Sequence, residues 1–150
     1  RDRGEGYLKI MLNVKNITKK FGKYIAVNDI SFDIQKGEIF GLVGESGSGK
    51  STLARLIARL ISPEKGEIYF NGENILGYEK TKLKQLKRQI QIIFQDPFAS
   101  LNPRMKVKDL ICEPLLIHDI CKRSDFRIKT EELLLQAGLS GKYLDRYPDD

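Results

Sequence analysis

Residues 44–51 read Gly-Glu-Ser-Gly-Ser-Gly-Lys-Ser, and they satisfy the spacing G-x-x-x-x-G-K-[ST] at every required position. No other stretch restricts the fold as much, because such a loop works only between the end of a buried strand and the start of a helix. Both flanks carry the right pattern. Glu38-Ile-Phe-Gly-Leu-Val43 is a short apolar run of the kind that forms a fully buried strand. Beyond the loop, Leu53, Leu56, Ile57, Leu60 and Ile61 recur at helical spacing with Arg55 and Arg59 on another face, which predicts a helix of about three turns. Pro63 and Gly66 are expected to close it.

The chemistry of such a loop is phosphate binding. Consecutive backbone N–H groups of this loop, which opens at Gly44, can wrap the oxygens of a triphosphate only where side chains are absent, as at Gly47 and Gly49. Glu45, Ser46 and Ser48 would then contribute mainly their backbone amides. Lys50 adds a mobile cation for the β- and γ-phosphates, and the Ser51 hydroxyl is placed to coordinate Mg²⁺. Thr52 and the helix N-terminus supply further hydrogen bonding and the positive end of the helix dipole.

Away from the loop the chain reads as mixed α and β. Residues 8–18 and Asp29-Ile-Ser-Phe-Asp-Ile34 partly alternate apolar with polar, predicting half-buried antiparallel strands. Residues 66–72 read as a strand with a turn, and Gln89-Ile-Gln-Ile-Ile-Phe94 as a strand ending at Gln95-Asp96-Pro97. From about Pro103 the pattern turns helical, first around Val107, Leu110 and Ile111, then around Phe126, Leu133, Leu134 and Ala137. Ser124 is the expected N-cap of the later helix and Gly138 its stop, and Pro114 should kink or restart the earlier one.

Charge and cysteine usage narrow the classes without choosing one. A net charge of +6 is compatible with nucleic acid, anionic lipid heads or phosphorylated small molecules. The densest basic cluster, Lys80, Lys82, Lys84, Lys87 and Arg88, alternates with Leu83 and Leu86 and reads as the solvated face of a short helix. No apolar run approaches the ~20 residues that a spanning helix needs, and the first six residues lack the apolar stretch of a signal peptide. Cys112, Cys121 and His118 fall short of a four-ligand zinc set, so reduced, structural thiols are expected.

The order of motifs resembles one family. Ile17-Thr-Lys-Lys-Phe21-Gly22, Val27-Asn-Asp-Ile-Ser-Phe-Asp-Ile34, Gly37-Glu38, the glycine-rich loop, Gly66-Glu-Ile and Ile93-Phe-Gln95-Asp-Pro97 together resemble the nucleotide-binding domain of ABC transporters. Gln95-Asp-Pro-Phe-Ala-Ser-Leu-Asn-Pro-Arg104, Glu113-Pro114 and Tyr143-Leu-Asp-Arg-Tyr-Pro148 resemble more narrowly the ATP-binding subunits of oligopeptide and dipeptide importers, the second of their usual pair. The resemblance implies an α/β fold of the P-loop NTPase type, with an antiparallel β subdomain and the start of a helical subdomain. It implies a nucleotide-binding core over residues 1–102 and an incomplete helical subdomain over 103–150.

The same resemblance implies roles. Phe21 would stack on adenine, with Tyr24 as the nearby alternative, or Phe21 would be a core residue at a strand end. Gln95 would contact Mg²⁺ or the attacking water, so Lys50 and Gln95 are the catalytic candidates and Ser51 and Gln95 the metal contacts. The implied cofactors are ATP and Mg²⁺. The implied partners are transmembrane permease subunits, a second ATP-binding subunit and, indirectly, an extracytoplasmic solute-binding protein, with no nucleic acid. The implied place is the cytoplasmic face of the membrane, and the implied activity is ATP hydrolysis coupled to peptide uptake.

Three of the family's motifs do not occur in these residues: the LSGGQ-type signature, the carboxylate motif of four apolar residues followed by Asp-Glu, and the switch histidine. Leu139-Ser-Gly-Lys142 comes too early in the motif order to be the signature, and Leu115-Leu-Ile-His-Asp119 lacks the Asp-Glu pair. His118 is therefore read as a surface or packing residue. The chain is expected to be a fragment ending before the signature, with little or no hydrolysis of its own. Two other readings stand beside this one: a non-hydrolytic nucleotide-binding regulatory module, and an ABC-type ATPase acting on DNA.

Overall fold

A computed structural model of the chain describes residues 9–150, and it divides into one compact unit up to Ile92 and a second over Ile93–Asp150. In the first unit the early alternation becomes a long antiparallel hairpin. Strand β1 (Ile10–Phe21) turns through Gly22 and Lys23 into β2 (Tyr24–Gln35), with Phe21 opposite Tyr24 and Val14 opposite Phe32. Gly22 takes φ 59, the left-handed conformation that tight hairpin turns require. Strand β3 (Lys65–Phe70) pairs on the other side of β1, followed by the two-residue β4 (Glu73–Asn74), giving the order β2-β1-β3-β4.

Strict alternation would put Leu12, Val14 and residue 16 on the same face. Instead the pairing shifts between Val14 and Ile17, where Asn16 adopts φ 48, and this bulge moves Ile17 onto the face of Leu12 and Val14. The bulge is held by polar partners: the Asn16 amide N–H donates to Ser31 Oγ at 2.8 Å and its side chain to Asp29 Oδ1 at 2.9 Å. The resulting apolar face, with Ile68 from β3, packs with Val27, Ile75 and two helices. Helix α1 (Lys50–Ile57) contributes Leu53 and Leu56, and α2 (Lys80–Gln89) contributes Leu86. Leu53 and Leu56 thus fix the helix whose first two residues are Lys50 and Ser51.

Helix α1 is shorter than its periodicity predicts. Arg59 takes φ 55 just past the helix, the Leu60 N–H reaches Arg55 O at 2.9 Å, and the Arg59 N–H reaches Leu56 O at 3.1 Å. This is a Schellman ending with arginine where glycine is usual, so the helix stops before Leu60, well ahead of Pro63. The Arg59 guanidinium also donates to Leu76 O at 3.1 Å, which helps hold the backbone there.

Two expected strands are not formed among the described residues. Residues 39–43 lie in an irregular stretch, with Ile39 99% and Val43 95% exposed. A buried strand needs neighbours on both edges, and the described sheet ends at β2 without pairing to this run. Phe40 stacks its ring on that of Phe32 at 4.9 Å. The expected strand from Gln89 fails differently: Leu83, Leu86 and Ile90 continue the helical spacing, so α2 takes Gln89 itself. Residues 91–94 are left unpaired, with Ile93 89% exposed.

The second unit is helical, as expected. After the single turn α3 (Pro97–Ser100), capped by the Asp96 carboxylate on the Ala99 N–H at 3.1 Å, come α4 (Val107–Ile117) and α5 (Phe126–Gln136). Helix α4 runs through Pro114 without a break or restart. Gly138, at φ 75, ends α5 as predicted, with the Leu139 N–H bonded to Leu134 O at 2.8 Å. Ser124 does not cap α5: residues Arg123–Asp125 form a 3-10 turn first, and the Ser124 hydroxyl donates instead to the Asp125 carboxylate at 2.8 Å. Cys112 is buried, 3.0 Å from the hydroxyl of the fully buried Thr130, and neither cysteine is in a disulfide. His118 caps the C-terminus of α4, half-buried. Among the described residues no helix is long and apolar enough to cross a membrane.

Candidate functional site

The glycine-rich loop lies against the β1–β2 hairpin, and its shape follows from its glycines. Gly47 and Gly49 both take positive φ, 82 and 92, where a side chain is strained. Gly49 has a further constraint: a Cβ there would sit 2.1 Å from Ala26 O of β2. A side chain at Gly44 would enter the loop itself, 2.7 Å from Ser48 Oγ and 4.0 Å from Lys50 Nζ. The loop can therefore close on itself and on β2 only because these positions are bare.

Lys50 is folded back over the loop. Its ammonium donates to Gly44 O and Glu45 O, each at 2.6 Å, and to Ser48 Oγ at 3.2 Å. All three donors of the cation are thus satisfied locally by groups around the loop, which keeps the charge where an anion would meet it. Gly49 occupies the N-cap position of α1 and offers no side-chain cap. The first-turn amides of α1, from Lys50, Ser51 and Thr52, accordingly have no side-chain acceptor, the arrangement that suits an anion. Ser51 is exposed and Thr52 half-buried at this end.

Beside the loop lies a hollow of about 430 Å³, lined on one side by Ala26, Val27 and Asn28 of β2 and on the other by Gly44, Ser48 and Lys50. The donor set matches a polyphosphate: bare glycines at closely approached positions, an ammonium, and the uncapped start of a helix. The same residues fit Mg²⁺ less completely, since Ser51 supplies one hydroxyl oxygen and the remaining ligands would have to come from phosphate, water or residues elsewhere.

Other predicted residues fall around this frame. Phe21 is not a core residue: it is 52% exposed at the hairpin turn, with Lys19 Nζ 5.3 Å above its ring. Tyr24, opposite it and 58% exposed, donates its hydroxyl to Gly47 O at 2.9 Å. The motif gives no hint of that contact; only the register of the hairpin, with Tyr24 just after the turn, could have pointed to it. Gln95 lies in the second unit, exposed, immediately before the Asp96 cap of α3. Tyr24, Gly44, Gly47, Gly49 and Lys50 are thus brought together within the first unit. The Lys80 to Arg88 cluster lies on the exposed side of α2, with Lys82 paired to Glu73 at 3.2 Å and Leu86 turned to the core.

Comparison with known proteins places this architecture. The chain is 48% identical over 146 residues to the oligopeptide transport ATP-binding protein OppF of Bacillus subtilis, which covers 93% of the chain and 48% of that protein. It is 39% identical over 134 residues to the di/tripeptide transport ATP-binding protein DppF of Pseudomonas aeruginosa, covering 89% of the chain and 42% of the relative. The chain therefore spans about half the length of the curated relatives it matches. Among solved structures, the dimeric post-hydrolysis state of the ATP-binding cassette MJ0796, bound to ADP and Pi, superimposes with a TM-score of 0.76 at 29% identity, over 93% of this chain and 62% of that one. The match confirms the α/β P-loop fold expected from the motifs. The family model described as ABC transporter matches residues 27–148, a span that runs from within β2 through the glycine-rich loop and across most of the second unit, and the chain belongs to that family.

Proposed function

We propose that the chain is the nucleotide-binding part of an ATP-binding subunit that powers peptide uptake across a membrane. The observation that carries this is the 48% identity to an oligopeptide transport ATP-binding protein, which extends over 93% of the chain. In this reading the amides of residues 44–52 receive the phosphates of ATP, with Glu45, Ser46 and Ser48 acting through their backbones. Lys50 exchanges its carbonyl partners for phosphate oxygens and neutralises charge there. Ser51 would offer its hydroxyl to Mg²⁺, which when bound would offset the charge of the phosphates. Phe21, exposed at the hairpin turn, offers a π-face to the adenine.

Residues up to 102 form the nucleotide-binding core in this proposal, and 103–150 the beginning of a helical subdomain that faces permease subunits. The subunit works at the cytoplasmic face of the membrane, beside a second ATP-binding subunit and, indirectly, a solute-binding protein. The dimeric MJ0796 cassettes support the pairing of two such domains. Lys50→Ala tests the site. Removing an ammonium that bonds charged oxygens should weaken Mg-ATP binding about ten- to a hundredfold, and should abolish peptide uptake by the intact transporter. Equal titration curves for parent and variant would refute the site; normal uptake would refute the transport role.

A further inference from the structure

The glycines that allow the phosphate-binding loop to close also leave it free to deform. At Gly47, with φ 82 and nothing within 4 Å of where a Cβ would stand, the peptide that follows meets little local resistance to reorientation. Something outside the loop must hold it. The Tyr24 hydroxyl does so, donating to Gly47 O at 2.9 Å from the first residue of β2.

A trans peptide is planar, so its C=O and N–H point in opposite directions. With Gly47 O directed at Tyr24, the N–H of Ser48 is directed the other way, toward Glu45 O at 3.2 Å. That distance lies at the long end of the N–H···O range, and Glu45 O already accepts the Lys50 ammonium at 2.6 Å. The Ser48 amide is therefore held on the loop's inner side by a long bond that an anionic oxygen can replace.

We propose that Tyr24 is a positioning residue for the phosphate-binding loop: its hydroxyl fixes the Gly47–Ser48 peptide with the Ser48 N–H facing inward, ready for a phosphate oxygen. The inference rests on reading residues 44–52 as a phosphate site. It gives Tyr24 a role distinct from stacking on a base, since it needs the hydroxyl and not the ring. It also ties the loop to the turn that carries Phe21, which pairs with Tyr24 across the hairpin.

Tyr24→Phe isolates the claim, because it keeps the ring and removes one oxygen. Pyrophosphate and adenosine serve as separate probes, titrated against the full chain, with hydrogen exchange followed residue by residue. Losing one exposed hydrogen bond should weaken pyrophosphate binding about fivefold and leave adenosine binding unchanged. Exchange at the Ser48 amide should quicken while the amides of β1 and β2 keep their protection. Unchanged pyrophosphate affinity would overturn the proposal. So would an equal loss for adenosine with faster exchange along both strands, which would mark Tyr24 as scaffold. If the parent chain binds pyrophosphate no better than Lys50→Ala does, the phosphate-site reading itself falls and this inference with it.

Discussion

Gly49→Ala is the sharpest test of how the loop is built, because Gly47→Ala provides its control. Both positions have left-handed φ, so alanine at either incurs the backbone cost of that region, about 1–2 kcal/mol. At Gly47 nothing else opposes a methyl group. At Gly49 the new Cβ would lie 2.1 Å from Ala26 O, whereas carbon and carbonyl oxygen normally approach no closer than about 3.3 Å. The opposing atom is backbone of β2, at the register shift between Ile25 and Val27, and not the end of a flexible side chain, so relief means displacing backbone beside Val27 of the core. Relief requires moving α1 off β2, which disturbs Leu53 and Leu56 and costs about a further 1–3 kcal/mol, as overpacked cores do. Urea unfolding should therefore show Gly49→Ala destabilised by about 2–5 kcal/mol and Gly47→Ala by about 1–2 kcal/mol. Equal midpoints for the two variants would mean that α1 and β2 are not in the contact described, and the account of the loop's anchoring would fail.

Two further outcomes follow from contacts outside the loop. Glu64 accepts from Lys19 Nζ and from the Lys20 N–H, each at 2.8 Å, and the Lys19 bond first, then the Lys20 amide, holds its carboxyl below the ordinary 4.5. Because the folded pKa is lowered, this contribution is complete above the unfolded value and is lost as pH falls through the folded one. Glu64→Gln should remove that part of the acid dependence in unfolding curves below about pH 5; superimposable acid limbs would contradict it. In the second unit, Thr130 is fully buried and its hydroxyl donates to Phe126 O at 2.7 Å beside the Cys112 thiol. Thr130→Val keeps the shape and loses the bond, leaving Cys112 without its hydroxyl neighbour, so it should destabilise by about 1–2 kcal/mol in urea. A stabilised variant would show that the hydroxyl is not engaged as described.

Local chemistry made the loop and its helix legible in the sequence. The spacing of Gly44, Gly49, Lys50 and Ser51 encodes a phosphate cradle without reference to the rest of the chain, and Leu53 and Leu56 face the core as their periodicity requires. The hairpin strands were legible for the same reason, although the bulge at Asn16 was not, because it depends on partners such as Ser31 and Asp29 on the opposite strand. The end of α1 was missed because arginine at Arg59 does the work usually signalled by glycine. Residues 39–43 were misread for a different reason: apolar character predicts burial, yet burial depends on neighbours that periodicity does not supply. Tyr24 was read as an aromatic ring, whereas its contact with the loop is made by the hydroxyl.

The open run at 39–43 also governs how the chain behaves in concentrated solution. Two nearly naked β-branched side chains, Ile39 and Val43, sit in an unpaired stretch beside the loop, and β2, the edge of the described sheet, exposes Ile25 and Ile30 as well. Unpaired backbone flanked by apolar side chains is a template on which other chains add strands. Colloidal stability then depends on the net charge of +6, whose mutual repulsion keeps molecules apart at low salt. Added salt screens that repulsion, so light scattering should rise with ionic strength, and an Ile39→Lys, Val43→Lys chain should stay clear where the parent clouds.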